Sequence, residues 1–282
     1  MEKTKLILFA VGLTVVGLNS PSCATSPIIM QYKDHSGKTY KYNINYEYNA
    51  EANFSGQVNV GRQIATGIVE YKATNKTSEK IIHELSFTEL DIVDDPVLPT
   101  GKMDSKPLLN NPLLLETDLN GRNLNLVNLK DLPSSIPDYH SPAASEFRIW
   151  TIIQQLAEVP VDTNDSWSST VRIEFDLTGN SGFDEITTNY TFVGIESVHG
   201  YKCMKISGKG IGTTRRSLDL PEFVLEADNK IESEITAFFA IDEGLFVKVK
   251  LIEKGTSDLN IPAYRAKGKA KYTQEISMSM IK

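Results

Sequence analysis

The stretch TYKYNINYEY, Thr39–Tyr48, decides the fold. Tyr40, Tyr42, Ile44, Tyr46 and Tyr48 fall on one side, and Thr39, Lys41, Asn43, Asn45 and Glu47 on the other. In an extended chain successive side chains point to opposite faces, so this period of two with one wet face predicts a half-buried antiparallel strand. Its apolar side is a wall of tyrosines that must pack against something.

Working outward, 53–61 reads as a loop. Further strands are expected at Ile64–Ala73 and Ile81–Val93, with Asn75-Lys76-Thr77-Ser78 as the turn between them. Beyond Asp165-Ser166-Trp167 the sequence is almost entirely strand-like. Val171, Ile173, Phe175 and Leu177 alternate with polar residues, and Glu185–Val198 turns at His199-Gly200 into Tyr201–Ser207. Ile231–Ile241 returns through Asp242-Glu243-Gly244 as Leu245–Ile252, and Lys269–Met280 places Ala270, Tyr272, Ile276, Met278 and Met280 on one face. Strands joined by short turns predict a meander, not parallel βαβ units.

Residues 94–142 differ, because Pro96, Pro99, Pro107, Pro112, Pro133, Pro137 and Pro142 exclude long regular elements there. Within them Leu113–Leu119 and Arg122–Val127 flank Asn120-Gly121, a hairpin signal. Ser141-Pro142 reads as an N-cap followed by proline in the first turn. The helix so begun would span 142–158, with Phe147, Trp150, Ile153 and Leu156 as its apolar stripe, and would be the one principal helix. No residue-level repeat links the region before it, 25–163, to the meander at 164–282.

The first 24 residues have the three-part layout of an export signal: Lys3 and Lys5, the apolar run Leu6–Leu18, then small and polar residues up to Cys23-Ala24. That run is shorter than the ~20 apolar residues a bilayer-spanning helix needs. Cys23 is a candidate for lipidation, which would anchor the mature chain to a membrane; simple cleavage after Ala24 is the alternative. The formal charge is −7, and losing a leader with two lysines and one glutamate makes it more acidic. An acidic surface argues against nucleic acid. Of the two cysteines, Cys203 would remain alone in an alternating apolar strand, a small buried hydrophobe.

Chemistry-bearing motifs are sparse. The sequence has no Gly-x-Ser-x-Gly elbow, no His-Glu-x-x-His and no phosphate-cradling loop. Gly179-Asn180-Ser181-Gly182 reads as a loop between strands, and Gly208-Lys209-Gly210-Ile211-Gly212 as a flexible strand end. His35, His83, His140 and His199 are isolated from any second ligand at zinc spacing. Asp91, Asp94 and Asp95 read as a solvated acidic loop. No enzyme, cofactor or metal is expected.

Tyr190–Ile206, YTFVGIESVHGYKCMKI, together with Asp165-Ser166-Trp167 and Asp242-Glu243-Gly244-Leu245, resembles bacterial envelope lipoproteins of the lipoprotein-carrier half-barrel type (the LolA/LolB and LppX-like fold). The resemblance covers roughly residues 160–280 and implies a strongly curved antiparallel sheet, partly closed by a helix, with an apolar concavity able to hold acyl chains. It transfers no site residue.

The expected architecture is therefore mainly β: a strongly curved antiparallel sheet, half-barrel or duplicated half-barrel, with the helix packed on its concave side. The expected function is that of an exported, non-enzymatic protein of the bacterial outer membrane or cell surface, periplasmic or extracellular. It would bind a lipid or acylated ligand through Tyr40, Tyr42, Tyr46, Phe147, Trp150, Ile153, Tyr272 and Met278, with Cys23 as membrane anchor. A structural or adhesive surface protein is the alternative, in which the same side chains form a closed core.

Overall fold

A computed structural model describes residues 27–95, 105–128, 134–136, 139–142, 153–177, 180–219 and 222–282. The leader with Cys23, and the stripe residues Phe147 and Trp150, lie outside them.

The strands are β1 (Tyr40–Phe54), β2 (Gln57–Asn75), β3 (Lys80–Asp95), β4 (Leu113–Asp118), β5 (Asn125–Leu126), β6 (Ser134–Ile136), β7 (Tyr139–Pro142), β8 (Ser166–Leu177), β9 (Asn180–Val198), β10 (Tyr201–Asp219), β11 (Val224–Ala240), β12 (Leu245–Ile261) and β13 (Ala266–Met280). Eleven of them form one antiparallel sheet in the order β5-β4-β3-β2-β1-β13-β12-β11-β10-β9-β8, while β6 and β7 pair separately. Two meanders are thus fused where β1 pairs with β13, Tyr42 standing opposite Met280 and Phe54 opposite Gly268.

The sheet curls into a nearly closed barrel, and its concave side holds the core. Tyr42, Ile44 and Tyr46 are buried there with Val69, Val249, Ile276 and Met278, while Lys41, Asn43 and Asn45 face solvent. Between the two sheet edges, β5 and β8, run two extended segments. Ile28 and Val161 exchange backbone hydrogen bonds of 2.9 and 3.0 Å. Met30 and Tyr32 from the first segment, and Ile153, Leu156 and Ala157 from the second, are buried against the sheet. The second segment, 153–161, acts as a strap. Leu156 N–H donates to Asn120 O at 2.8 Å beside β4, and Gln155 O accepts from Trp167 Nε1–H of β8 at 3.0 Å.

Several expectations need correcting. Among the described residues there is no α-helix: Tyr139–Pro142 is a strand, and 153–158, the C-terminal part of the expected helix, is an extended strap. Residues 143–152 are outside the description. The stripe Ile153 and Leu156 is buried, but by an extended chain that satisfies its backbone groups with Asn120 and Trp167 instead of with its own next turn. The 53–61 loop shrinks to Ser55-Gly56, with φ of 52° and 90°, the two left-handed residues of a tight hairpin turn. Gly208–Gly212 is no strand end but the middle of β10, Asp91, Asp94 and Asp95 form the end of β3 paired with β2 and not a loop, and Asn180, Ser181 and Gly182 already belong to β9. The Asn120-Gly121 hairpin does form as β4–β5.

Candidate functional site

Away from the register shifts at Lys205/Ile206 and Phe238/Phe239, inward side chains line up in rows across β1 and β13 to β8. One row reads Tyr46 (β1), Ile276 (β13), Leu251 (β12), Ile235 (β11), Gly208 (β10), Tyr190 (β9) and Trp167 (β8). It is largely apolar, and the Trp167 and Tyr190 rings stack with centroids 5.3 Å apart. The next inward row is a polar belt: Tyr48, Gln274, Glu253, Ser233, Gly210, Thr188 and Ser169 on the same seven strands. Gln274, Glu253, Ser233, Thr188 and Ser169 are all buried. Two rows further on, Ser257, Asn229, Thr214 and Asp184 form a second polar row on β12 to β9.

Small residues make these rows possible. A Cβ on Gly255 would sit 2.1 Å from Cε1 of Tyr272, its partner across β12–β13, and one on Gly210 would sit 2.3 Å from Ser233 Oγ. The tyrosine ring therefore lies over bare backbone, which lets its hydroxyl donate to Glu253 Oε1 at 2.9 Å. A glycine covered by a cross-strand aromatic ring is a recurring device in curved sheets.

At the belt a cavity of about 90 Å³ opens between the strap and the sheet. Gly121, Leu124 and Ile153–Gln155 close it on one side. Val171, Ile173, Ile186, Ile235 and Leu251 supply apolar wall, and Asp184, Thr188, Ser233 and Glu253 supply polar groups. Tyr190, also on the wall, donates its hydroxyl to Gln154 Oε1 at 3.0 Å. Burial pushes that hydroxyl up to about 12, so it stays a donor at neutral pH. Asp184 pairs through Oδ2 with Arg216 Nη2 at 2.8 Å.

Of the expected lining residues, Ile153 is on this cavity. Tyr42, Tyr46 and Met278 are buried in the filled apolar core, with Tyr40 packed against it, and Tyr272 serves Glu253. The polar groups of the site, Asp184 and Glu253, carried no sequence motif. The available signal was phase: Val247, Val249 and Leu251 set the inward alternation of β12, and Glu253, Gly255 and Ser257 continue it with polar and small residues.

No protein-family model and no curated protein matches the sequence. Among solved structures, the chain is similar to a loop-deletion mutant of OmpT, an outer membrane protein of Vibrio cholerae, at 7% identity and a TM-score of 0.24, over 86% of this chain and 99% of that one. It is also similar to a DUF1329 family protein from Desulfovibrio piger, at 10% identity and a TM-score of 0.17, over 83% of each chain. Superpositions this loose carry no argument about fold or function.

Proposed function

We propose that the chain is an exported, non-enzymatic protein of the cell envelope that takes the apolar part of a ligand into the interior of its curved sheet. One observation carries this reading: the cavity under the strap combines five aliphatic walls with a few convergent polar groups, the make-up of small-ligand sites. The leader-like start of the chain supports export, and Cys23 supplies the anchor if it is acylated. The alternative, a structural surface protein without a ligand, draws on the size of the cavity. At about 90 Å³ it is well below the ~300 Å³ where pockets for whole drug-sized ligands begin. In the binding reading the cavity therefore holds only one end of its ligand.

Native mass spectrometry of the protein purified from its own membrane separates the two. The binding reading expects a co-purifying small molecule that organic extraction removes, and a mass increment on Cys23 for the anchor. A bare protein mass after mild detergent extraction would leave the surface-protein reading standing alone.

A further inference from the structure

Two apolar side chains face water where the first extended segment meets the strap. Ile28 and Val161 exchange backbone hydrogen bonds, and the Asn120 amide donates to both Met30 O and Ala157 O. Ile29 and Val159 are bracketed by these two ties, so they sit on neighbouring stretches of chain. Met30, Ala157 and Val161 turn into the core, whereas Ile29 is 64% exposed and Val159 66%. Pro27 and Pro160 beside them are exposed as well.

Backbone geometry explains the direction of Ile29 but not its identity. In an extended segment that buries Met30 and Tyr32, the residues between must face out. The next two such positions, Gln31 and Lys33, are polar as expected, and Ile29 is not. At Val159 the strap bends, and a solvent-facing bend is ordinarily built from polar residues or glycine. Two apolar residues placed together where polar ones would serve mark a contact surface.

The chain just upstream selects the partner. Cys23 precedes Pro27 by four residues, a reach of about 14 Å at most. An acyl anchor on Cys23 therefore brings a membrane surface to this one place on the barrel. A single acyl chain holds a protein only marginally, at about 10⁴ M⁻¹, so a second apolar contact strengthens the attachment. The neighbouring charges decide which lipid. Glu158, Asp162 and Asp165 are exposed around the pair, and Glu158 is bonded to Arg122. Anionic headgroups would be repelled there.

We infer that Ile29 and Val159 form a docking patch that seats the strap on an electrically neutral lipid surface beside the Cys23 anchor. The inference rests on the reading of Cys23 as acylated. To that reading it adds an orientation, with the strap and the cavity beneath it turned to the bilayer.

The test uses the whole mature chain from Cys23, carrying one tetradecyl chain attached to Cys23 as a maleimide. Cys203 is buried, and burial pushes its thiol up to about 11, so the reagent goes to Cys23. Partitioning is measured on phosphatidylcholine vesicles, with and without phosphatidylglycerol. The double variant Ile29→Ser, Val159→Ser is expected to bind about tenfold or more weaker than the unaltered chain, with an unchanged melt because both positions are exposed. Val58→Ser with Val60→Ser, equally exposed on β2, should bind like the unaltered chain. Equal partitioning of the Ile29/Val159 variant would overturn the docking patch and leave the anchor intact. Binding that strengthens with phosphatidylglycerol and fades with salt would overturn its apolar basis. A native protein whose mass shows Cys23 unmodified would overturn the anchor and the docking together.

Discussion

At the scale of single residues, His83 shows how the filled half of the barrel ties stability to pH. It is fully buried on β3, with Nδ1 3.0 Å from the Tyr71 hydroxyl and Nε2 2.8 Å from Thr117 Oγ1. Burial, with His35 adding to it, depresses its pKa to about 3. The unfolded chain takes up a proton near the ordinary histidine value while the native state refuses it. The stabilisation is therefore complete above that value and lost as pH falls towards 3. Between pH 8 and pH 5 this one ring should remove about 2 kcal/mol from the unfolding free energy. His35, also depressed by burial, acts in the same direction. Urea titrations at the two pH values should show the loss, and His83→Gln should flatten most of it; an unchanged pH slope in the variant would show that the ring is not its source.

Among the elements, the strap is the one whose removal should be felt locally. Asn120 Nδ2 donates to both Met30 O and Ala157 O at 2.9 Å, so a single amide ties the two extended segments to the β4–β5 turn. Asn120→Ala leaves two carbonyls short of a donor, at a cost of about 1–3 kcal/mol. Amide exchange at Leu156 and Tyr32 should quicken in the variant while that at Val249 in β12 stays slow. If exchange quickens equally everywhere, the strap is not a separate unit.

The strap is also where sequence reading fell short. Strands such as Thr39–Tyr48 were legible because tyrosines and isoleucine repeat every second residue, and the structure extends that strand to Phe54. Leu245–Ile252 and Tyr201–Ser207 were cut short because beyond them the inward positions hold Glu253, Gly255 and Ser257, or Gly208, Gly210 and Gly212, which dissolve the contrast between faces. Ile153 and Leu156 have helical spacing, yet an extended segment buries both, since spacing alone does not say which surface receives them. The polar belt was invisible for a further reason. Its members lie on seven different strands, and only the register brings them together.

For the molecule as a whole, everything passes through β1. It bonds β2 along its full length on one side and β13 on the other, so the two meanders share one hydrogen-bonded seam. The apolar cluster spans both meanders, from Leu85 and Leu115 to Phe192 and Ile206. A single cooperative unfolding transition is expected, with tryptophan fluorescence and circular dichroism coinciding. Ending the chain before Ala266 would strip β1 and β12 of a shared neighbour and open two long edges in mid-sheet. That truncated protein should elute as aggregate and lose its sigmoidal melt. A monomer with a cooperative melt would mean the meanders fold separately.

That seam also sets a timetable. β1 and β13 are separated along the chain by all the other strands, so one of the two native neighbours of β1 becomes available only after the second meander has been made. Contacts so distant along the chain close slowly. Until that pairing forms, the seam-side edges of β1 and β13 stay open, so closure of the barrel is expected to be a late and slow step.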